Sequence, residues 1–194
     1  MRVSRAQAEA NREAVINAAS RLFREHGFDG IGLKDLMKGA GLTQGGFYKQ
    51  FESKEDLAAL ASRRAMESAT RRWSSVAASS SDPLRAVIDL YLSAGHRGET
   101  ADGCPLVALG ADAARQSPEV RTPFQDGIKA HLQVLEELMP EQGVPNPDEK
   151  AMVVLSLLVG AVTLSRIVTD EDMSNRLLEA AANEVKRLAP LNND

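Results

Sequence analysis

Six residues within twelve positions carry the chemistry that stands out in this chain: Thr43, Gln44, Gly45, Tyr48, Lys49 and Lys54. They offer two hydroxyls, an amide, an uncovered backbone position and two cations. No nucleophile is paired with a base among them. All of them suit donation to phosphate oxygens or to base edges. Gly46 sits inside the group, and Lys34 lies a short helix upstream. Phe47 and Phe51 are four apart and give the segment one apolar face with which to anchor itself.

The flanking pattern says what positions these groups. Leu33, Leu36, Met37 and Ala40 form one face of a two-turn helix. Gly41 supplies a left-handed residue to end it, Leu42 is an apolar plug, and Thr43 is expected to cap a new helix with its hydroxyl. Helix, glycine turn and capped helix make a helix-turn-helix, whose second helix enters the major groove with its first residues nearest the bases. Ser53 and Asp56 then form a capping box for the next helix, and Lys54 lies in that helix's first turn, where a phosphate would be held.

From Ala40 onward the chain resembles the TetR family of transcriptional regulators. The family signature, Ala-Gly-(Val/Leu)-(Ser/Thr)-x-Gly-x-(Phe/Leu)-Tyr-x-His-Phe-x-(Ser/Asn)-Lys-(Glu/Asp)-x-Leu, is matched at Ala40, Gly41, Leu42, Thr43, Gly45, Phe47, Tyr48, Phe51, Ser53, Lys54, Glu55 and Leu57. Gln50 stands where the family has His, and Ile31-Gly32 stands where a Thr/Ser cap is usual. The resemblance implies an all-α fold of about nine helices. Residues 1–56 are expected to be a three-helix DNA-binding domain, and residues 57–194 a ligand-binding and dimerisation domain. It implies operator DNA and a small-molecule inducer as partners, a homodimer paired through the last two helices, and no cofactor or metal.

Composition agrees without deciding the matter. With 194 residues, 43% of them apolar, the chain can bury a real core. The net charge is −4, yet residues 1–55 hold nine Lys/Arg against seven Asp/Glu, so the basic excess falls on the helix-turn-helix. One cysteine, Cys104, excludes an intrachain disulfide and a cysteine-rich zinc site. No apolar leader opens the chain, and the apolar run Met152–Val168 reads as too short to span a bilayer, so a soluble cytoplasmic protein is expected.

The remaining elements follow from spacing. Residues 1–10 read as a loose arm bearing Arg2 and Arg5, and a helix follows from about Gln7 to His26 with Val15, Ala18, Ala19, Leu22 and Phe23 inward. A long helix from Lys54 to about Ala78 bears Trp73. Pro83 to about His96 is the next, capped by Asp82, and Gly95–Gly103 is a loop. Helices then start at Pro105 and Pro118, the second with Phe124 and His131 on its inner stripe. Pro140–Pro147 is a loop, after which Asn146 caps an apolar helix in which Ser156, Gly160, Ala161 and Ser165 allow close helix approach. A last helix runs from about Met173 to Leu188.

The three histidines have no metal-ligand spacing, and neither a phosphate loop nor a nucleophile elbow is present, so no enzyme is read here. In the pocket the resemblance implies, Trp73, Tyr91, Cys104, Phe124 and His131 are the candidate lining residues. Cys104 precedes a helix-starting proline, a place where the helix dipole favours thiolate and a thiol-reactive inducer could act. The competing reading is a helical ligand carrier or enzyme with an incidental helix-turn-helix.

Overall fold

The computed structural model describes residues 4–139 and 146–188. Among them are nine α-helices, one 3₁₀ helix and no strand: α1 Arg5–His26, α2 Leu33–Gly39, the 3₁₀ helix Gln44–Lys49, α3 Lys54–Ala78, α4 Pro83–Tyr91, α5 Ala94–Gly98, α6 Pro105–Ala113, α7 Pro118–Leu138, α8 Pro147–Ile167 and α9 Glu171–Leu188. The chain packs as two compact units, residues 1–68 with 100–126, and residues 69–99 with 127–194. The helices α3 and α7 each contribute to both.

In the first unit, α1 begins at Arg5 because the Ser4 hydroxyl accepts the Gln7 N–H at 3.1 Å, so the expected arm is helical from that point. Arg2 lies outside the described residues. Val15, Ala19 and Phe23 turn one face of α1 into a core with Leu36, Met37, Phe47, Leu57, Leu109 and Val120, all essentially without solvent contact. Fully burying each large apolar side chain stabilises by about 1.5–3 kcal/mol. Phe28 joins Phe23 at a ring separation of 5.2 Å and Phe124 at 6.4 Å. At the rim, Arg64 reaches both Glu13 (2.5 Å) and Asn17, tying α3 to α1. The turn after α1 is closed by a steric demand at Gly30, where an added Cβ would fall 1.9 Å from the His26 carbonyl oxygen.

In the second unit, α8 packs along α9, and the pair is antiparallel. Ser174 donates to the Ser165 carbonyl near their linked ends (2.7 Å), and Lys150 donates to the Leu188 carbonyl at the far ends (3.0 Å). Val154, Leu158, Val162, Leu178 and Val185 fill the seam. Of the small residues expected to serve helix approach, Ala161 and Ser165 are buried within the chain, whereas Ser156 is exposed and Gly160 half-buried. Including its first turn, α8 is long and apolar enough to cross a bilayer by length and composition, contrary to the expectation from Met152–Val168 alone. Within its most apolar window, 39% is already buried against the rest of the chain.

Two local expectations are corrected. The helix from Pro83 stops at Tyr91, because the Ser93 hydroxyl accepts the His96 N–H (3.0 Å) and starts α5 inside the expected loop. Asn146 is left-handed (φ 52°) and does not cap α8 through its side chain; its amide instead donates to Glu149 at 3.1 Å. Residues 140–145 of the predicted loop lie outside the described residues.

Candidate nucleic-acid interface and aromatic–histidine cluster

The end of α2 sets the geometry of the candidate recognition segment. Gly41 is left-handed (φ 71°), as its place after the helix requires. The Leu42 N–H bonds to the Met37 carbonyl and the Gly41 N–H to that of Lys38, both at 2.9 Å. These are the two bonds of a Schellman turn, with Leu42 as its apolar residue. Beyond it the chain winds as a 3₁₀ helix, not an α-helix. The Gly46 N–H bonds to the Thr43 carbonyl (3.1 Å) and the Gln50 N–H to that of Phe47 (2.9 Å), both three residues back. Two adjacent glycines disfavour α-helix by about 1 kcal/mol each, and tight short windings are common where propensity is weak. Thr43 stands at the N-cap position without a side-chain capping bond, so its hydroxyl is left to other partners.

Phe47 is fully buried, Phe51 nearly so, and their rings lie 5.4 Å apart, with Arg12 stacked on Phe51 at 5.2 Å. That anchor turns Thr43, Gln44, Gly45, Tyr48 and Lys49 outward together with Lys34; Gly46 and Lys54 are half-buried. Tyr48 is 74% exposed, which is costly for an aromatic ring unless a partner covers it. A Cβ at Gly45 would meet nothing within 4 Å, and one at Gly46 only the Met37 methyl at 3.8 Å. The fold therefore does not need these glycines. The α3 start is boxed as expected: Ser53 accepts the Asp56 N–H (3.0 Å), while Asp56 reaches back to the Glu52 N–H (3.2 Å), one residue before the usual place. Gln50 contributes a buried side-chain oxygen with no hydrogen-bond partner among the described residues.

Of the five candidate ligand residues, three come together in the second unit. Trp73 lies edge-on to Tyr91 (5.4 Å) and to His131 (4.5 Å), and His96, which the sequence reading did not select, completes the cluster 4.5 Å from Tyr91. The His131 Nδ1 lies 2.7 Å from the Gly127 carbonyl oxygen. A carbonyl can only accept, so Nδ1 carries the proton and Nε2 presents a lone pair. That Nε2 is buried and has no hydrogen-bond partner among the described residues. Burial pushes the His131 pKa below its ordinary 6.5, with the Gly127 carbonyl opposing. His96 behaves alike: burial lowers it and its bond to the Tyr91 carbonyl (2.6 Å) opposes. Both imidazoles are buried, and burial disfavours their charged form.

The other two candidates belong to the first unit. Phe124 is core, packed on Phe28. Cys104 is 3% exposed and stands at the N-cap position of α6. Beside it is a cation that no sequence spacing suggests. Arg24, eighty residues away, donates to the Gly103 carbonyl at 2.8 Å and is electrostatically coupled to Cys104. Burial lowers the Arg24 pKa, and Asp102 acts against that. No group of three or more His, Cys, Asp or Glu side chains among the described residues is placed to hold a metal ion.

The profile of bacterial regulatory proteins of the tetR family matches residues 15–61, and that of the LmrA/YxaF-like transcriptional regulator C-terminal domain matches residues 80–183. The chain belongs to the TetR family. It is a DNA-binding transcriptional regulator, and regulators of this family bind operator DNA and small molecules and act as dimers. Among curated relatives it is 27% identical to the HTH-type transcriptional regulator LmrA of Bacillus subtilis over 161 residues, 80% of this chain and 86% of that protein. It is also 27% identical to the HTH-type transcriptional repressor NemR of Escherichia coli, over 80% of this chain and 84% of the repressor. The solved structure of reduced E. coli NemR superposes with a TM-score of 0.77 at 24% identity, covering 95% of this chain and 98% of that one. A Chloroflexus aurantiacus TetR regulator superposes at 0.78 with 25% identity, covering 94% and 97%.

Proposed function

We propose that the protein is a repressor that occupies a palindromic operator as a homodimer and leaves it when a small molecule binds the C-terminal domain. The observation that carries this is the reading face itself. Thr43, Gln44, Gly45, Tyr48 and Lys49 stand exposed on a segment pinned by buried Phe47. Lys34, Tyr48, Lys49 and Lys54 would bind phosphates. Thr43 and Gln44 would face the bases, and Gly45 and Gly46 would let backbone approach the groove. In functional terms residues 1–56 bind DNA and residues 57–194 sense and dimerise. The protein acts in the cytoplasm, without a cofactor or a catalytic step.

Pairing through α8 and α9 is supported by what a single chain leaves uncovered. Met152, Val153, Leu164, Ile167 and Met173 are 46–69% exposed. A two-fold operator needs a two-fold protein, with reading segments one helical turn of DNA apart, about 34–36 Å. Ligand binding would favour a state in which that spacing is lost. The His131 Nε2 lone pair, beside Trp73 and Tyr91, suits an inducer with a hydrogen-bond donor on an aromatic or flat apolar body. Phe124 and Cys104 belong to residues 57–194 by chain order, although they pack in the unit of residues 1–68 and 100–126. Arg24 supports a thiol-reactive inducer acting at Cys104, since a neighbouring cation is the setting in which thiolate is stabilised.

The test is a mobility shift on the DNA upstream of the protein's own gene, titrated with salt and repeated with a metabolite and electrophile panel. Saturable binding that weakens steeply with salt and is relieved by a panel member is expected. Absence of sequence-preferring binding at low salt would leave the helical-carrier reading standing. Release by an electrophile from wild type but not from Cys104→Ser would assign the inducer class.

A further inference from the structure

A cavity in the 69–99 and 127–194 unit has chemistry unlike the aromatic cluster. It measures about 320 Å³ and is lined by Arg97 and Gly98 of α5, by Ser165 and Arg166 at the end of α8, by Thr169 in the connection, and by Ser174 of α9 among others. The Arg97 guanidinium is held by neutral oxygens, and that of Arg166 braces three backbone carbonyls. Arg166 donates from Nε to the Arg97 carbonyl (2.8 Å) and from Nη2 to those of Glu99 (2.7 Å) and His96 (3.1 Å). Arg97 donates from Nη1 to the Ser174 hydroxyl (2.6 Å) and to the Asn175 side-chain oxygen (2.8 Å). Ser174, 4% exposed, passes its own proton to the Ser165 carbonyl.

The contrast with Arg72 is instructive. Arg72 grips Glu99 with two bonds, at 2.5 and 3.1 Å, and that carboxylate is thereby held below its usual pKa. Arg97 forms no ion pair among the described residues, although the same unit gives Arg72 one. Its fork is oriented by Ser174 and Asn175 but its charge is not met. Against two lining cations the cavity wall has one carboxylate, the exposed Glu171. A guanidinium whose rotamer is already fixed loses little entropy on binding and matches planar or tetrahedral oxyanions with paired N–H donors. Thr169 adds an exposed hydroxyl at the rim.

We propose that this cavity binds a small oxyanion, a carboxylate- or phosphate-bearing metabolite, with Arg97 as its principal ligand. Arg166 and Thr169 complete the site. The anion would join α5 to the α8–α9 connection. The site adjoins the His131 cluster through the bond from Arg166 to the His96 carbonyl and takes the opposite class of ligand.

Full-length protein is titrated with inorganic phosphate, and separately with malonate, at constant ionic strength set by chloride, following the melting temperature and the heat of binding. A saturable rise in melting temperature is expected for at least one of the two, since a ligand of the folded state must raise it. The probe that responds identifies the group. Arg97→Gln is expected to weaken that binding at least tenfold, and Asp89→Asn, in a separate groove, to leave it unchanged. Should Arg97→Gln fold poorly, Thr169→Glu places a carboxylate at the exposed rim without touching the guanidinium bonds and is expected to abolish binding. No saturable response to either anion, or equal responses in wild type and Thr169→Glu, overturns the proposal. So does an Arg97→Gln protein whose only change is weaker dimerisation by sedimentation in both anions, which would make the cavity a seat for the second subunit.

Discussion

The reading segment and the aromatic–histidine cluster solve opposite problems with similar residue types. At Gln44–Lys49 the polar groups face outward around two bare glycines, and two buried rings, Phe47 and Phe51, hold them in place. Around Trp73 the polar groups are sealed inside. Tyr91, His96 and His131 are each under 7% exposed, and the two imidazoles bond to the Tyr91 and Gly127 carbonyls, with the Thr70 hydroxyl 3.3 Å from the same His131 nitrogen. On the proposed reading, the first region keeps its hydrogen-bonding capacity unspent for a charged polymer. The second keeps one lone pair, His131 Nε2, in a place water does not reach. Exposure suits a partner that is large and always hydrated; burial suits one small enough to be engulfed and to replace water.

The comparison breaks most readily at its anchor. Phe47→Ala removes a fully buried ring and is expected to cost about 3–5 kcal/mol, with operator binding lost and the melting temperature lowered. Undiminished operator affinity in this variant would show that the exposed face does not depend on its anchor. A sharper cut is Gly45→Ala. The added methyl meets no protein atom, so the melting temperature should hold or rise slightly, while operator affinity falls by about tenfold or more, roughly 1.4 kcal/mol. Equal affinity would remove close backbone approach from the docking scheme.

On and beside the exposed face, two substitutions separate holding from reading. Lys54→Ala is expected to weaken binding to all sequences alike and to reduce the salt slope by about one. Gln44→Ala is expected to relax preference at one base pair by about 1–3 kcal/mol. Mobility shifts over a salt series on matched and mismatched duplexes tell the two apart, and a swapped pattern would reverse the assignment.

The smallest effect tests the sealed region. Burial holds His96 and His131 below 6.5, so the unfolded chain takes up protons first as pH falls. Their contribution is complete above about pH 6.5 and drains away below it. Thermal melts between pH 7.5 and 5 should therefore show falling stability, less steeply in His131→Leu. A melting temperature that is flat or rises toward pH 5, with the same profile in the variant, would mean that the imidazoles are hydrated and the cluster is not dry.

The reading segment was legible from sequence because its parts are neighbours. Gly41, the Ser53–Asp56 box and the Phe47–Phe51 spacing act over four residues or fewer, and the structure bears each out. What was missed locally was winding: Gly45-Gly46 turned an expected α-helix into a 3₁₀ helix and left Thr43 without its capping bond. Asn146 was misread for a related reason, since asparagine suits a left-handed residue as well as a cap. The buried sites were legible only in part. Trp73, Tyr91 and His131 lie on inward stripes that periodicity reveals, but His96 entered through the Ser93 cap that broke a helix. The meeting of Arg24 with Gly103 and Cys104 across some eighty positions leaves no local trace at all.

The glycines of the first unit carry a lesson for variant libraries. At Gly30 a side chain would strike the His26 carbonyl, and a backbone atom cannot step aside. At Gly45 it would strike no protein atom, and only the proposed docking would bring DNA against it. Suppose every substitution at both positions were scored twice in cells, once for protein abundance and once for operator occupancy. Position 30 would fail both screens together, and a global stabilising mutation would rescue part of the loss. Position 45 would pass the first and fail the second, and no gain in stability would restore it. Two glycines of equal apparent intolerance would thus be sorted into one that the chain needs in order to exist and one that it needs only in company.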